Sequence, residues 1–133
     1  MPSRVAFNAS DNVVHCTFEG VVSAVELARA VAAAVQACET HACSRILTDC
    51  TDMLVGHSLG DLYDTVTSTA TAPRASRMAL REAVILPTDT EAIESVQFWQ
   101  TAASNRGIDV RLFHTRSEGE AWLNTGRDAR PQP

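Results

Sequence analysis

Two periodicities of apolar residues divide the chain into strands and helices. Val14, Cys16 and Phe18 alternate with polar residues, which is typical of a strand with one buried face. The capping-box pattern at 23–26, Ser-Ala-Val-Glu, then predicts the start of a helix. Apolar residues at helical spacing predict its buried stripe: Val25, Ala28, Val31, Ala32, Val35 and Cys38.

The same patterns continue to the end of the chain. Further strands are predicted at 5–7, 45–49, 78–86 and 110–113, and further helices begin near 58, 90 and 116. Polar residues and glycine predict a loop over 52–60. The predicted order is β-β-α-β-α-β-α-β-α, an α/β fold with a mixed sheet of about five strands covered by helices.

Length and composition fit one globular domain. The chain has 133 residues, of which 45% are hydrophobic and 20% are charged. We expect a single domain over residues 1–125 and a flexible tail over 126–133. An edge strand that can pair with a second copy makes a homodimer a plausible assembly.

Charge and hydropathy narrow the classes of partner. Lys and Arg number 11 against 16 Asp and Glu, so the net charge is −5 and nucleic acid is not an expected partner. No run approaches the roughly 18 apolar residues of a membrane span, and the N-terminal residues lack the apolar segment of a signal peptide. We therefore expect a cytoplasmic protein whose four cysteines are reduced.

No motif for a metal or a cofactor is present. Cys38, His41 and Cys43 have a spacing that matches no common zinc site, and buried thiols are the favoured interpretation of all four cysteines. The glycine-rich loops that hold phosphates are absent from the sequence. The sequence therefore predicts neither a metal nor a cofactor.

Polar residues that follow the predicted strands are candidates for a functional site, because ligands gather at the carboxyl ends of parallel strands. They are Asp49, Asp52, His57 and Ser58 after the third strand, Thr88 and Asp89 after the fourth, and His114 after the fifth. An acid, a histidine and a serine are the components of a hydrolytic site, but no G-x-S-x-G elbow surrounds Ser58. Helix caps and loop residues are the favoured interpretation of this set.

Two segments resemble the STAS family of anti-sigma-factor antagonists. Residues 46–51, Ile-Leu-Thr-Asp-Cys-Thr, lead to Ser58-Leu59-Gly60 as an apolar strand ending in Asp leads to a Ser-Gly helix start in that family. The end of the chain, from 110–113 through 120–123, resembles the SpoIIAA-like branch, also called STAS/SEC14. The family's phosphorylated serine lies nine positions after its Asp, as Ser58 lies after Asp49, although His57 replaces the usual acidic residue and Leu59 a small one.

The resemblance implies a non-catalytic module that binds a protein, such as a regulatory kinase or an anti-sigma factor. Ser58 would then be a phosphorylation site in a partner loop with Asp49, Asp52 and His57. The SEC14-like side implies a small apolar ligand instead, in a pocket either at the strand-end rim, with Thr88, Asp89 and His114, or between helix and sheet. A small hydrolase-type enzyme using His57 or His114 with an aspartate is the remaining alternative.

Overall fold

The computed structural model describes residues 2–71 and 79–128, with the side chains of 69–71 and 126–128 left out. The predicted order of elements is confirmed over these residues. They are β1 (Ser3–Asn8), β2 (Val13–Ser23), α1 (Ala24–Thr40), β3 (Arg45–Gly56), α2 (Leu59–Thr71), β4 (Arg81–Ile85), α3 (Thr90–Ser104), β5 (Asp109–Phe113) and α4 (Arg116–Asp128).

The five strands form one mixed sheet in the order β1-β2-β3-β4-β5, which confirms the predicted fold class. β1 pairs antiparallel with β2, and the remaining neighbours pair in parallel. Because the parallel strands follow each other in one direction and β-α-β crossovers are right-handed, the connecting helices are placed on one face. α4 follows the last strand, is not a crossover, and packs on the opposite face.

The sheet separates two apolar layers of unequal size. The larger layer joins the sheet to α1, α2 and α3 through residues such as Leu27, Leu62 and Val96. The smaller layer lies under α4 and consists of Val13, Leu47, Ala83, Ile85 and Leu123, with Phe113 and Trp122 at its edge. The alternation of a strand is visible in β4, where Val84 belongs to one layer and its two neighbours to the other.

A glycine allows α4 to approach the sheet closely. A Cβ atom added at Gly119 would lie 3.0 Å from Cδ1 of Ile85 and 3.2 Å from Cδ1 of Leu47. These separations are tighter than ordinary van der Waals contact, so a larger side chain would push the helix away from the strands. The glycine therefore sets the depth at which Leu123 is buried.

The prediction of a loop over 52–60 is wrong, because β3 continues to Gly56. β2 is also longer than predicted, and the two strands remain paired from Glu19 with Asp52 to Ser23 with Gly56 after a register shift. β4 pairs with β3 only as far as Asp49, so this extension is a two-stranded arm. Backbone pairing with β2 outweighs the turn-like composition of these residues.

The predicted buried stripe of α1 is displaced around the helix. Leu27, Ala30, Ala34 and Cys38 are buried, whereas Val25 is 65% exposed. Ala28 and Ala32 are exposed as well. Apolar residues occupy most positions of this alanine-rich helix, so spacing alone does not define which side meets the sheet.

Two predicted boundaries move by a few residues. β4 is shorter than the predicted strand at 78–86, and Met78 lies outside the described residues. α4 runs to Asp128 and so includes the first three residues of the predicted tail. The rest of that segment, 129–133, lies outside the described residues.

Candidate ligand cavity and the predicted site residues

A cavity of about 70 Å³ lies in the larger layer, between the sheet and α1, α2 and α3. Its wall is largely apolar, with aliphatic side chains from each of these three helices and sulfur atoms from the sheet. Few of the groups that line it are polar: Thr48, His57, Glu82 and Ser95, with the indole of Trp99. An apolar cavity with a few convergent polar groups is the usual form of a small-molecule site.

Glu82 is the acidic residue of this cavity and lies on β4 opposite Ile46. The Thr48 hydroxyl donates to Glu82 Oε2 at 2.5 Å, and the Trp99 indole Nε1–H donates to Glu82 Oε1 at 2.8 Å. Thr48 projects from the neighbouring strand β3, and Trp99 projects from α3. The carboxyl group is thus held from two elements and faces the cavity.

Burial changes the proton affinity of Glu82 and of the thiols near it. Loss of hydration raises the pKa of Glu82 above its ordinary value of 4.5, against the lowering effect of its two hydrogen-bond donors. Burial, with a smaller contribution from Glu82, raises the pKa of Cys16 to about 12. The same causes raise the pKa of Cys50. Both thiols are therefore neutral at neutral pH.

A second polar pair, His57 and Ser95, lines the cavity near the carboxyl end of β3. His57 Nδ1 is 2.8 Å from the Val22 carbonyl oxygen, and its Nε2 is 3.1 Å from Ser95 Oγ. Because a carbonyl can only accept, Nδ1 carries the proton, and in the neutral ring Nε2 accepts from the Ser95 hydroxyl. Ser95 lies one helical turn before Trp99, so the two polar groups of α3 are about 6 Å apart along its axis.

Ser58, the predicted phosphorylation site, is exposed and caps α2. Its Oγ accepts from the Asp61 backbone N–H at 3.0 Å, and its own N–H donates to Asp61 Oδ2 at 2.8 Å. These bonds to the backbone and side chain of Ser58 lower the pKa of Asp61. The pair is a reciprocal capping box, which matches the helix-cap interpretation of this serine.

The predicted partner loop is not one cluster. His57 and Ser58 are adjacent at the β3–α2 connection, but Asp49 lies seven residues before the end of β3. That distance is about 23 Å at about 3.3 Å per residue. The expectation that Asp49 and Ser58 flank a single loop is therefore wrong, because the residues between them are a strand. Asp52 is exposed on the two-stranded arm, opposite Glu19.

Asp49 takes part in a different set of contacts, on the face that α4 occupies. Its Oδ1 accepts from the Thr51 backbone N–H at 3.0 Å and from the Thr51 hydroxyl at 2.6 Å. Its Oδ2 is 3.4 Å from Arg116 Nη1, and Arg116 also donates to His15 Nδ1 at 2.9 Å. The hydrogen bonds of Asp49 thus lead away from His57, whose nitrogens bond elsewhere.

The three residues of the predicted ligand rim belong to connections. The Thr88 backbone N–H donates to the Thr51 carbonyl at 3.2 Å. The Asp89 carboxylate accepts from the Ala92 backbone N–H at 3.0 Å and caps α3. His114 is exposed between β5 and α4. None of the three lines the cavity between the sheet and the helices.

Sequence reasoning missed Glu82, Thr48 and Ser95. One signal was present: Glu82 is an acidic residue two positions before Val84, so alternation places both on the same buried face of an apolar strand. A lone acid at such a position needs hydrogen-bond partners. Ser95 gave no comparable signal, because a serine in a helix is compatible with a solvent-facing position.

Comparison with known proteins identifies the fold. No protein-family model and no curated protein matches the sequence. Among solved structures, the chain is similar to an uncharacterised protein of the DUF3478 family with a SpoIIAA-like fold from Shewanella loihica PV-4. The two share 14% sequence identity with a TM-score of 0.56, over 91% of this chain and 93% of that chain.

The chain therefore has a SpoIIAA-like fold, as its resemblance to that branch implied. At this level of identity the similarity concerns the fold alone. Within residues 2–71 and 79–128, no helix has both the length and the apolar character needed to cross a bilayer.

Proposed function

We propose that this protein is a non-catalytic binding module that holds a small, largely apolar molecule in the cavity between the sheet and α1–α3. The observation that carries the proposal is an apolar cavity of about 70 Å³ with a buried carboxyl group in its wall. Close-packed interiors contain few voids larger than a water molecule, so such a cavity is a feature that a ligand can use.

The volume limits the ligand. A cavity of about 70 Å³ is roughly half of the 150 Å³ cavity that holds benzene. Benzene has six non-hydrogen atoms, so by the same proportion about three fit without movement of the walls, and a ligand of about five requires the walls to yield. At the upper bound of about 1.5 kcal/mol per non-hydrogen atom, the dissociation constant of a five-atom ligand is in the micromolar range at best. Longer chains need an enlarged cavity.

The polar groups support binding rather than turnover. His57 is the candidate base, but its Nδ1 faces a backbone carbonyl and its Nε2 faces Ser95. Asp49 is bonded to Thr51 and Arg116, so the acid–histidine pairing of the hydrolase alternative lacks support. The four cysteines are buried and free, which suits a reducing compartment such as the cytoplasm.

Filling the cavity tests the proposal. Val31 and Val25 are both on α1, but only Val31 lines the cavity. We expect Val31→Phe to abolish binding of xenon and of 2-butanol, because the ring occupies the volume that these probes need. Val25→Phe makes the same change on the exposed side and should bind as the wild type does. Binding is measured from the shift of the Trp99 indole N–H resonance.

The outcomes are clearly separated. Loss of both probes in Val31→Phe and retention in Val25→Phe supports a ligand site in the cavity. If neither probe shifts the Trp99 resonance in the wild-type protein, the cavity does not bind small apolar molecules and the proposal is wrong. Thermal unfolding of each variant establishes that it is folded at the temperature of the titration.

A protein-binding function is the second candidate, favoured by exposed apolar residues on the two-stranded arm and at the starts of the helices that follow it. We call these residues the tip surface: Val21 and Leu54 on the arm, Val25 on α1 and Leu59 on α2, all exposed. Val21 and Leu54 are paired across β2 and β3, and Leu59 follows Ser58. The acidic side chains of Asp52 and Asp61 lie nearby in the chain, so the matching partner is a protein with an apolar patch and a basic rim.

Phosphorylation of Ser58 would regulate this surface by repulsion. A phosphate on Ser58 Oγ would stand beside the Asp61 carboxylate, which is hydrogen-bonded to the Ser58 N–H. Two negative groups at this distance oppose each other, so the capping box would open and the tip surface would change. Intact-mass measurement of protein from its native host tests the switch, with Ser58→Ala as the control. Unmodified protein under all growth conditions would exclude it.

A further inference from the structure

We propose that the cavity selects ligands whose polar end donates a hydrogen bond, such as an alcohol, and that Glu82 is the residue that makes this selection. The inference rests on the proposed ligand-binding function and adds the chemical class of the ligand. It follows from the contacts of Glu82, from the other groups in the cavity wall, and from the shape of the site.

The carboxyl group of Glu82 has acceptor capacity left. An ionised carboxylate offers about four lone-pair positions on two oxygens. The Thr48 hydroxyl occupies one position on Oε2, and the Trp99 indole occupies one on Oε1. A ligand hydroxyl reaching this wall would therefore find an acceptor already oriented by two donors. While the Glu82 carboxyl group is ionised, a ligand with only a carbonyl oxygen would meet another acceptor and gain no such bond. A protonated Glu82 would donate to that oxygen, so the probes are compared above the folded pKa of Glu82.

A ligand carboxylate is excluded by charge. The described side chains that line the cavity include neither lysine nor arginine. The titratable groups near Glu82 are the thiols of Cys16, Cys38 and Cys50, whose pKa values are raised so that they stay neutral. His57 also lines the cavity. A second carboxyl group beside Glu82 would be buried without a compensating cation, which is strongly unfavourable.

The polar groups of the cavity are confined to two places, so a ligand hydroxyl has a defined position beside Glu82. Glu82, Thr48 and Trp99 form one polar group, and His57 with Ser95 forms another about one helical turn away along α3. The remaining lining residues are apolar: aliphatic side chains, sulfur-containing side chains and Phe18. A short branched alcohol can thus place its hydroxyl on Glu82 and its carbons against apolar side chains such as Leu27 and Val96.

The test uses three probes with similar small carbon skeletons and xenon as a probe without a polar end. 2-Butanol donates a hydrogen bond, 2-butanone only accepts, and isobutyrate carries a charge. Each is titrated into the wild-type protein above the folded pKa of Glu82, which is located from the pH dependence of the Trp99 resonance, and the indole N–H resonance of Trp99 is followed. Trp122 is the internal control, because it packs on the opposite face of the sheet against Phe113.

We expect 2-butanol to bind about tenfold more tightly than 2-butanone, a difference of about 1.4 kcal/mol. Isobutyrate should cause no shift of Trp99 at the same concentrations. If 2-butanone or isobutyrate binds as tightly as 2-butanol, the inference is wrong while the ligand-binding function stands. If no probe, including xenon, shifts Trp99, the ligand-binding function itself is wrong.

A pair of variants assigns the selection to Glu82. Glu82→Gln presents both a donor and an acceptor, so the preference for 2-butanol over 2-butanone should disappear. Val84→Ala is the matched control: it lies on the same face of β4 and does not line the cavity. It should lower stability and keep the preference. If the preference for 2-butanol is unchanged in Glu82→Gln, Glu82 is not the residue that selects the ligand.

Discussion

At the scale of single residues, Glu82 has an energetic cost that its partners offset only in part. Its carboxyl group is buried, and its hydrogen bonds come from neutral groups, Thr48 and Trp99. Burial favours the protonated form of Glu82, so the folded state binds this proton more tightly than the unfolded state does. The stability of the protein is therefore coupled to pH through one side chain in the wall of its cavity.

Glu82→Gln should flatten the pH dependence of stability. Because the pKa of Glu82 in the folded protein is above its ordinary value of 4.5, the contribution of Glu82 to the free energy of unfolding is most favourable below pH 4.5. Its free energy of unfolding then falls as the pH rises from 4.5 through the folded pKa. The amide does not titrate, so this decline should be absent from urea unfolding curves of the variant.

Asp61 provides the contrasting control for that measurement. Its pKa is lowered below its ordinary value of 3.8, so its contribution is present above that value and is lost as the pH falls. Asp61→Asn should therefore keep the decline of stability above pH 4.5 that Glu82 causes. A decline that persists in Glu82→Gln would assign the pH dependence to another group.

At the scale of elements, α1 ends in a Schellman motif that brings two cysteines together. The Cys43 backbone N–H donates to the Cys38 carbonyl at 2.9 Å, and that of Ala42 donates to the Glu39 carbonyl at 3.4 Å. The buried thiols of Cys38 and Cys43 occupy the positions whose side chains meet in this motif. The two cysteines whose spacing was compared with that of a zinc site thus belong to the C-terminal cap of α1.

The motif requires a left-handed residue, and here it is Ala42, with a φ of 50°. Ala42→Gly should raise the free energy of unfolding by about 1 kcal/mol, since glycine adopts this conformation without a Cβ penalty. Ala33→Gly, at an exposed position inside the same helix, should lower it by about 1 kcal/mol. Thermal and urea unfolding of both variants measure the two effects. Equal signs for the two substitutions would contradict this account of the helix end.

The elements themselves were largely predictable from the sequence, because alternation and helical spacing are local properties. Ser23, Asp89 and Thr115 cap the helices that follow them, and the helix starts predicted after Ser23 and near 90 and 116 are confirmed. The arm formed by β2 and β3 was not predictable in this way. Its residues 52–56 resemble a loop in composition, and only their pairing with a distant strand makes them a strand.

A pocket between helix and sheet was one of two expected positions, but the size and the lining of the cavity were not predictable, for a different reason. It is a volume left between three helices and a sheet, and its size depends on how side chains from separate segments pack. Glu82 and Ser95 come together with His57 only in the folded chain. The partner loop was predicted from the spacing of Asp49 and Ser58, but spacing along the chain does not reveal that the intervening residues are extended.

At the scale of the whole molecule, the order of the strands has a consequence for how the chain folds. Each strand pairs with the strand that precedes it in the sequence, from β1 to β5. A ribosome releases the N-terminal strands first, so every newly emerged strand finds its neighbour already present. The sheet can thus grow by one strand at a time during synthesis, and none of these five strands has to wait for a neighbouring strand that is still untranslated.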